Sequence, residues 1–276
     1  MAKRSKGSTR LPKAPLAEVV FELRWTLQKG PDNEAILHSD PGIMPLLDAF
    51  TSHMKKAKFG FFRDMSHPLQ TGPYGVVRRY FRDSESPYPI MQVGIGIFAA
   101  NASSQYDYPN FREQVVSGIA ALLNSYPKMD FFPLCPDHLE LRYVDVFDKN
   151  VTEGAGFFKF LNSETAFKVG LPPMFGGSKQ VTGKAHGRVI YEAELKDWKG
   201  SRIIVDLGSA LQETTNEDAI RMVTLVRTTL PGVPELKTKG TFPKQVAKWL
   251  DFAHGITSPL FKEIISENVM RRFKEL

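Results

Sequence analysis

The chain has 276 residues, of which 42% are hydrophobic and 24% are charged, and its formal net charge is +6. This composition is typical of a globular protein, and no apolar run approaches the roughly 20 residues that a membrane-spanning helix needs, so we predict no membrane partner. The single cysteine, Cys135, cannot form an internal disulfide, and the first residues lack the hydrophobic stretch of a signal peptide. Both features favour a cytoplasmic location.

Much of the positive charge lies at the start of the chain. Residues 1–13 include Lys3, Arg4 and Lys6 among five basic residues and contain no acidic residue. We interpret residues 1–14 as a disordered basic tail, because charged termini rarely pack against a core. The remaining residues are nearly neutral, so attraction to phosphate groups would come from this tail or from a local patch.

Residues 15–150 show a regular alternation of strand and helix patterns. The predicted elements are strand Val19–Trp25, helix Ile43–Ala57, strand Gly75–Arg82, strand Met91–Ala100, helix Asn110–Tyr126 with Asn110 as its N-cap, and strand Leu139–Phe147. This order is the split β-α-β pattern of ferredoxin-like domains. We therefore predict an α+β fold with a ferredoxin-like βαββαβ domain at residues 15–150.

Residues 151–276 are less regular and are predicted to form a second α+β subdomain. The predicted elements are a linker at Gly154–Gly177 with a short strand Ala166–Leu171, strands within Lys179–Lys196 and at Arg202–Leu207, a hairpin turn at Trp198–Gly200, a helix Glu217–Leu230, and a C-terminal helix Lys244–Phe273 that Pro259 kinks or splits. Antiparallel strands packed with C-terminal helices are therefore expected in this half.

Four segments together resemble a known family. They are PLAEVVFELRW (Pro15–Trp25), VGIGIFAANASSQYDYPNFREQV (Val93–Val115), LRYVDVF (Leu141–Phe147) and WLDFAHGITSPLFKEIISENVMRRF (Trp249–Phe273). In their order and spacing they resemble a family of uncharacterised, sporadically distributed prokaryotic proteins of similar length. Phe111 stands where that family tends to have Trp. The resemblance implies a patchy distribution typical of mobile or anti-phage defence genes, and it implies no catalytic residue.

The chain lacks the local motifs of common catalytic and cofactor sites. The six histidines form no HxxxH-type pair, there is no CxxC, and no phosphate-binding GxxxxGK[ST] loop or GxSxG nucleophile elbow occurs. Cys135 and His138 would supply only two metal ligands. We therefore predict no catalytic residue, no metal site and no cofactor.

Three aspartates keep a metal-dependent hydrolase open as an alternative. Asp145 and Asp148 lie at the end of the fourth predicted strand, and Asp206 ends another strand. Carboxylates at strand ends hold Mg²⁺ in many nucleases, although aspartate is equally common there as a turn former.

A basic and aromatic strand provides a second alternative. In the run Arg78–Arg82, the side chains of Arg78, Tyr80 and Arg82 share one face of the strand. Such a face resembles the surfaces that hold single-stranded nucleic acid by stacking and phosphate contacts. Together with Lys3, Arg4 and Lys6 it would form a nucleic-acid site, whereas in the structural interpretation it is a half-exposed strand paired to neighbouring glutamates.

The absence of catalytic motifs, the resemblance and the long C-terminal helix favour a non-enzymatic interaction protein. We predict that it acts as an accessory component of a prokaryotic defence or mobile-element system, with a protein partner or a second copy of itself bound. Nucleic-acid binding and metal-dependent hydrolysis are the alternatives.

Overall fold

The computed structural model describes residues 15–27, 40–66, 76–82, 88–103, 106–170, 186–211, 216–231 and 240–275. These residues form one nine-stranded antiparallel sheet and six helices, so the predicted α+β class is confirmed. In chain order the elements are β1 (Leu16–Trp25), α1 (Ile43–Lys56), β2 (Phe61–Ser66), β3 (Val76–Phe81), β4 (Ile90–Gly94), β5 (Ile97–Ala102), α2 (Tyr108–Ser125), β6 (Pro136–Phe147), α3 (Lys149–Thr152), α4 (Phe157–Glu164), β7 (Arg188–Leu195), β8 (Ser201–Leu211), β9 (Asp218–Thr229), α5 (Phe242–Ile264) and α6 (Glu267–Glu275).

The sheet has the strand order β2-β3-β4-β5-β1-β6-β9-β8-β7, with β1 and β6 near its centre. In β1, Val19, Phe21, Leu23 and Trp25 alternate along the strand and are fully buried beneath the helices. The opposite side chains of the strand, such as Glu22 and Arg24, lie on the other face. The period-2 pattern of the sequence therefore sets which face of the sheet carries the core.

The predicted third strand is in fact a hairpin. β4 and β5 pair with each other around a turn at Ile95–Gly96, where Gly96 has a φ of +66°. β2 was not predicted, and it pairs with β3. Four described strands therefore lie between α1 and α2, where a ferredoxin-like unit has two.

The predicted helix Glu217–Leu230 is wrong, because this segment is the strand β9. Ile220, Val223, Leu225 and Val226 are buried as expected. β9 lies between β6 and β8 and has buried apolar residues on both faces, so it lacks the alternation that identifies a half-buried strand. Its many β-branched residues favour a strand over a helix.

Other boundaries in the second half also differ from the prediction. The linker at Gly154–Gly177 contains α4, and residues 166–170 of the expected strand Ala166–Leu171 form no strand. The hairpin turn at Trp198–Gly200 is confirmed, with Gly200 at a φ of +78°. α5 continues through Pro259 and ends at Ile264. The N-cap of α2 is Asp107, whose carboxylate accepts from the Asn110 amide at 3.1 Å.

The described helices that contact the core cover a single face of the sheet in two apolar clusters. The larger cluster packs α1, α2 and the first half of α5 on β1, β4, β5 and β6. The smaller cluster packs α3, α4, α6 and the end of α5 on Phe147, Leu207 and Met222. β6 pairs with β9 along ten residues, so both halves of the chain share one sheet. Among the described helices, none is long and apolar enough to cross a membrane.

Candidate functional site

Three of the four segments that carry the family resemblance contribute polar side chains to one place, where α2, α5 and β6 meet. We call these side chains the tyrosine–histidine cluster: Tyr106, Tyr108, Arg112, Tyr143, Asp251 and His254. The fourth segment is β1, the neighbour of β6 in the sheet, and its Phe21 ring contacts Trp249 edge-to-face at 6.1 Å. Segments that are far apart in the sequence are therefore adjacent in the fold.

His254 is at the centre of this cluster. Its Nδ1 lies 2.8 Å from the Tyr143 hydroxyl, which lies 2.8 Å from the Tyr106 hydroxyl. The Tyr108 ring stacks on the imidazole with centroids 3.7 Å apart and planes within 8°. Burial lowers the pKa of His254, with the Asp251 carboxylate opposing part of the effect. At neutral pH the imidazole is therefore uncharged, and its Nδ1 forms a hydrogen bond with the Tyr143 hydroxyl.

Asp251 and Arg112 close the cluster at the surface. The Arg112 guanidinium donates to both carboxylate oxygens of Asp251 at 2.7 and 2.8 Å, and the Tyr108 hydroxyl donates to Asp251 at 2.7 Å. Burial acts to raise the pKa of Asp251, but the hydrogen bonds from Arg112 and Tyr108 dominate and lower it. The spacing of four residues between Tyr108 and Arg112 puts both on one face of α2.

Beneath this cluster, polar residues separate the two apolar clusters. On β6, Tyr143 and Asp145 lie between Leu141 and Phe147 on the helix-covered face, and on β9 the register places Thr224 opposite Tyr143. We call Tyr143, Asp145 and Thr224 the polar seam. The Thr224 hydroxyl is buried and has no hydrogen-bond partner among the residues that the structure describes. Burial raises the pKa of Asp145 to about 7, and the described residues give its carboxyl no hydrogen-bond donor.

The tyrosine–histidine cluster is suited to a structural role, because its hydrogen bonds join elements that are far apart in the sequence. The donors and acceptors of the tyrosine–histidine cluster are largely used by one another, and they join α2, α5 and β6. Within the described ranges, no group of three His, Cys, Asp or Glu side chains is placed to hold a metal ion. The region resembles a buried polar network that fixes how the helices sit on the sheet.

The three candidate aspartates of the hydrolase alternative are not brought together. Asp145 lies in the polar seam beneath the helices. The Asp148 carboxylate caps α3, accepting from the amides of Asn150 and Val151. Asp206 lies on the opposite face of the sheet, where Arg188 donates to both its oxygens at 2.8 Å. The hydrolase remains a prediction that this geometry does not favour.

The predicted nucleic-acid residues Arg78, Tyr80 and Arg82 lie on β3 and just after it. Tyr80 is fully buried under α1, with its hydroxyl 3.0 Å from Thr51 Oγ1, so its ring offers no face to a base. Arg78 is mostly buried and donates to both oxygens of Asp64 at 2.6 and 2.9 Å. The Arg82 guanidinium lies 5.0 Å from the centre of the Phe59 ring.

The same prediction also includes three residues of the basic tail. Lys3, Arg4 and Lys6 lie outside the described residues. Nucleic-acid binding therefore stays a prediction, and its stacking element is missing from the strand face on which it was expected.

The sequence did not point to the two edges of the sheet. At one edge, β2 exposes apolar side chains on both of its faces: Phe61 is 52% exposed and Phe62 is 46% exposed, and Met65 is also exposed. At the other edge, β7 is exposed along most of its length, with Ile190 at 53% and Tyr191 at 43%. Among the described strands, β2 pairs only with β3, and β7 only with β8. Each edge strand therefore has one side that no described strand occupies.

Comparison with other proteins assigns no family or function to this region. No protein-family model matches the chain, and no curated protein matches it significantly.

Proposed function

We propose that this chain is a non-enzymatic interaction protein that binds a partner protein along the edge strand β2. The observation that supports this proposal most is the pair of exposed aromatic rings, Phe61 and Phe62, on opposite faces of an edge strand. Large aromatic side chains are among the groups most enriched at protein interfaces.

An edge strand has main-chain donors and acceptors that a partner strand can use. An extended segment that adds to the sheet gains affinity from main-chain hydrogen bonds and specificity from alternate side chains. Edges that are not used in this way are usually protected by charge, by a bulge or by short length. Three of the side chains of β2 are apolar and exposed, so its charges, Arg63 and Asp64, leave much of the edge open to a partner strand.

The Arg78 side chain holds the β2 edge in place. Besides its two bonds to Asp64, its guanidinium lies 4.8 Å from the centre of the Phe62 ring. The hydrogen bond from Arg78 also lowers the pKa of Asp64. An edge whose side chains are already ordered loses less conformational entropy on binding. The strand singled out for its arginines thus supports an adjacent protein-binding edge.

We also propose a biological system in which the protein acts and a fold type for its first half. The family resemblance supports an accessory role in a prokaryotic defence or mobile-element system. For the fold, we propose that β1, α1, the meander β2–β5, α2 and β6 form an expanded ferredoxin-like unit. The order β5-β1-β6 supports this, because in a ferredoxin-like sheet the first strand likewise lies between the last strand and the strand that precedes the second helix.

The test is affinity purification of the tagged, full-length protein from its native host, followed by mass spectrometry and nucleic-acid extraction. The wild type is compared with Phe61→Asp and with the control Phe131→Asp, which changes an exposed Phe far from β2 in the sequence. We expect a stoichiometric protein that copurifies with the wild type and the control but is lost with Phe61→Asp. Equal recovery with Phe61→Asp, or recovery of nucleic acid alone, would contradict the proposal.

A further inference from the structure

We propose that β7 pairs with β7 of a second copy of this chain, in antiparallel orientation about a two-fold axis at Tyr191. This interface lies at the edge opposite β2, so it is independent of the partner proposed there. β7 has eight residues and is exposed along most of its length, and no described strand occupies its outer side. Two copies would join their sheets into one continuous sheet.

Symmetry determines which residues meet in such a pair. A two-fold axis perpendicular to the sheet keeps the helix-covered faces on one side, so directly opposed residues belong to the same face. With the axis at Tyr191, Arg188 of one copy lies opposite Glu194 of the other, and Ile190 lies opposite Glu192. This register pairs the strand over nearly its whole length and places opposite charges together at both ends.

The ion pairs already present in one copy are compatible with this register. Arg188 is held by Asp206 while its side chain stays 61% exposed. Glu194 makes no ion pair with any described residue. A second copy would therefore bring an unpaired carboxylate to a guanidinium that is already oriented. Opposite charges that face each other across strands stabilise the pair, whereas like charges destabilise it.

An aromatic stack adds apolar contact at the proposed axis. The Phe167 ring lies on Tyr191 with centroids 4.3 Å apart and planes within 9°. Because Tyr191 lies on the axis, two copies would bring two such stacks side by side on the same face. Tyr and Phe at the centre of an interface are typical anchor residues.

The same construction fails at β2. The two registers that pair most of β2 with itself place Arg63 opposite Arg63 or Asp64 opposite Asp64. Either register sets like charges against each other at the axis, where they cannot separate. The order of charges along the two edges therefore assigns the second copy to β7 and a different protein to β2.

The test uses two charge reversals in the full-length chain, Arg188→Glu and Glu194→Arg, with sedimentation velocity as the measurement. Each variant alone sets like charges together at both ends of the interface, so we expect dimerisation at least about tenfold weaker than for the wild type. Mixed in equal amounts, the two variants should form a heterodimer, because both contacts are then again between opposite charges. Lys248→Glu, on an exposed face of α5, is the control and should dimerise like the wild type.

A wild-type chain that stays monomeric at high concentration would overturn the proposal. Dimers that are unchanged in both variants, or variants that fail to recover on mixing, would overturn it as well. Circular dichroism confirms that each variant is folded. Because β2 is unaltered in all of them, a failure here leaves the copurified partner in place and is distinguishable from a failure of the proposed function.

Discussion

The two edges of the sheet are alike in exposure and opposite in charge order. β2 carries exposed aromatic rings on both faces and has Arg63 and Asp64 at its centre. β7 carries an arginine at its start, glutamates toward its end and Tyr191 in the middle. The charges along β2 would repel β2 of a second copy, whereas the charges along β7 would attract β7 of a second copy. In our proposal, the order of side chains along an edge strand selects the kind of partner, although the main chain of both edges is the same.

The largest effect is expected on self-association, when the like charges that keep two copies of β2 apart are removed. In Arg63→Val, the register centred on residue 63 no longer opposes two arginines, and Phe61 meets Met65 of the second copy. Because β7 pairs at the opposite edge, each molecule would then have two self-pairing edges and would form open chains. We expect light scattering that rises with concentration, whereas the control Arg63→Lys stays as soluble as the wild type. A soluble Arg63→Val dimer would show that charge does not protect this edge.

The polar seam lies between the two edges of the sheet. Changes in it should alter the free energy of unfolding without altering binding at β2 or β7. Because burial raises the pKa of Asp145 to about 7, the folded protein binds a proton that the unfolded chain releases near pH 4. The contribution of Asp145 to stability should therefore fall as the pH rises from about 4 to about 7, by up to about 4 kcal/mol.

Asp145→Asn should remove this pH dependence and be more stable than the wild type at pH 8, as measured by urea unfolding. Dimerisation and partner binding should not change. Asp40 provides the contrast, because its buried carboxylate accepts from Trp25, Tyr126 and the Gly42 amide. Asp40→Asn should destabilise the protein at pH 8, because the Asn amide nitrogen cannot accept the hydrogen bonds that a carboxylate oxygen accepts. A pH profile unaltered in Asp145→Asn would contradict this account of the seam.

The support of β2 by Arg78 can be separated from its charge. Arg78→Ala removes the bonds to Asp64 and the contact with Phe62, so we expect partner binding about tenfold weaker and unfolding easier by about 1 kcal/mol. Arg79→Ala is the control, because Arg79 points to the other face and donates to Gln92 at 2.9 Å. Isothermal titration with the copurified partner measures the binding of both variants, and urea unfolding measures their stability. Equal losses in the two variants would indicate a general effect of charge.

The smallest expected effect is at Thr224. Its hydroxyl is buried with no hydrogen-bond partner in the described part of the chain, and Val has nearly the same shape without the hydroxyl. Thr224→Val should therefore raise the free energy of unfolding by about 1 kcal/mol, with both edges unaffected. Thr228→Val is the matched control and should lower stability, because the Thr228 hydroxyl accepts from the Trp249 indole at 2.7 Å. If Thr224→Val is the less stable of the two, the hydroxyl has a role that the structure does not show.

The sequence was sufficient to predict the elements that are buried on one side. β1, α1, α2 and β6 each have one apolar face, so periodicity found them within a few residues. Periodicity failed for β9, which has buried apolar residues on both faces and resembles a helix in sequence, and for β2, which is exposed on both faces. Periodicity detects a difference in polarity between the two faces of an element, and the two faces of each of these strands differ little.

The candidate sites were harder to predict, for a different reason. Alternation correctly placed Arg78 and Tyr80 on one face of a strand, but it could not show that α1 covers this face. The meeting of Tyr108, Tyr143 and His254 depends on tertiary packing across the whole chain. The self-complementary order of β7 was present in the sequence, yet it has meaning only once β7 is known to be an edge.

Hydrogen–deuterium exchange of the full-length protein distinguishes an edge that binds a second copy, β7, from an edge that binds a different protein, β2. Exchange is compared between dilute and concentrated protein, and then with the copurified partner added. We predict that amides of β7 become protected as concentration rises while those of β2 do not, and that the partner protects β2. Protection of β2 by concentration alone, or of neither edge under any condition, would contradict the account.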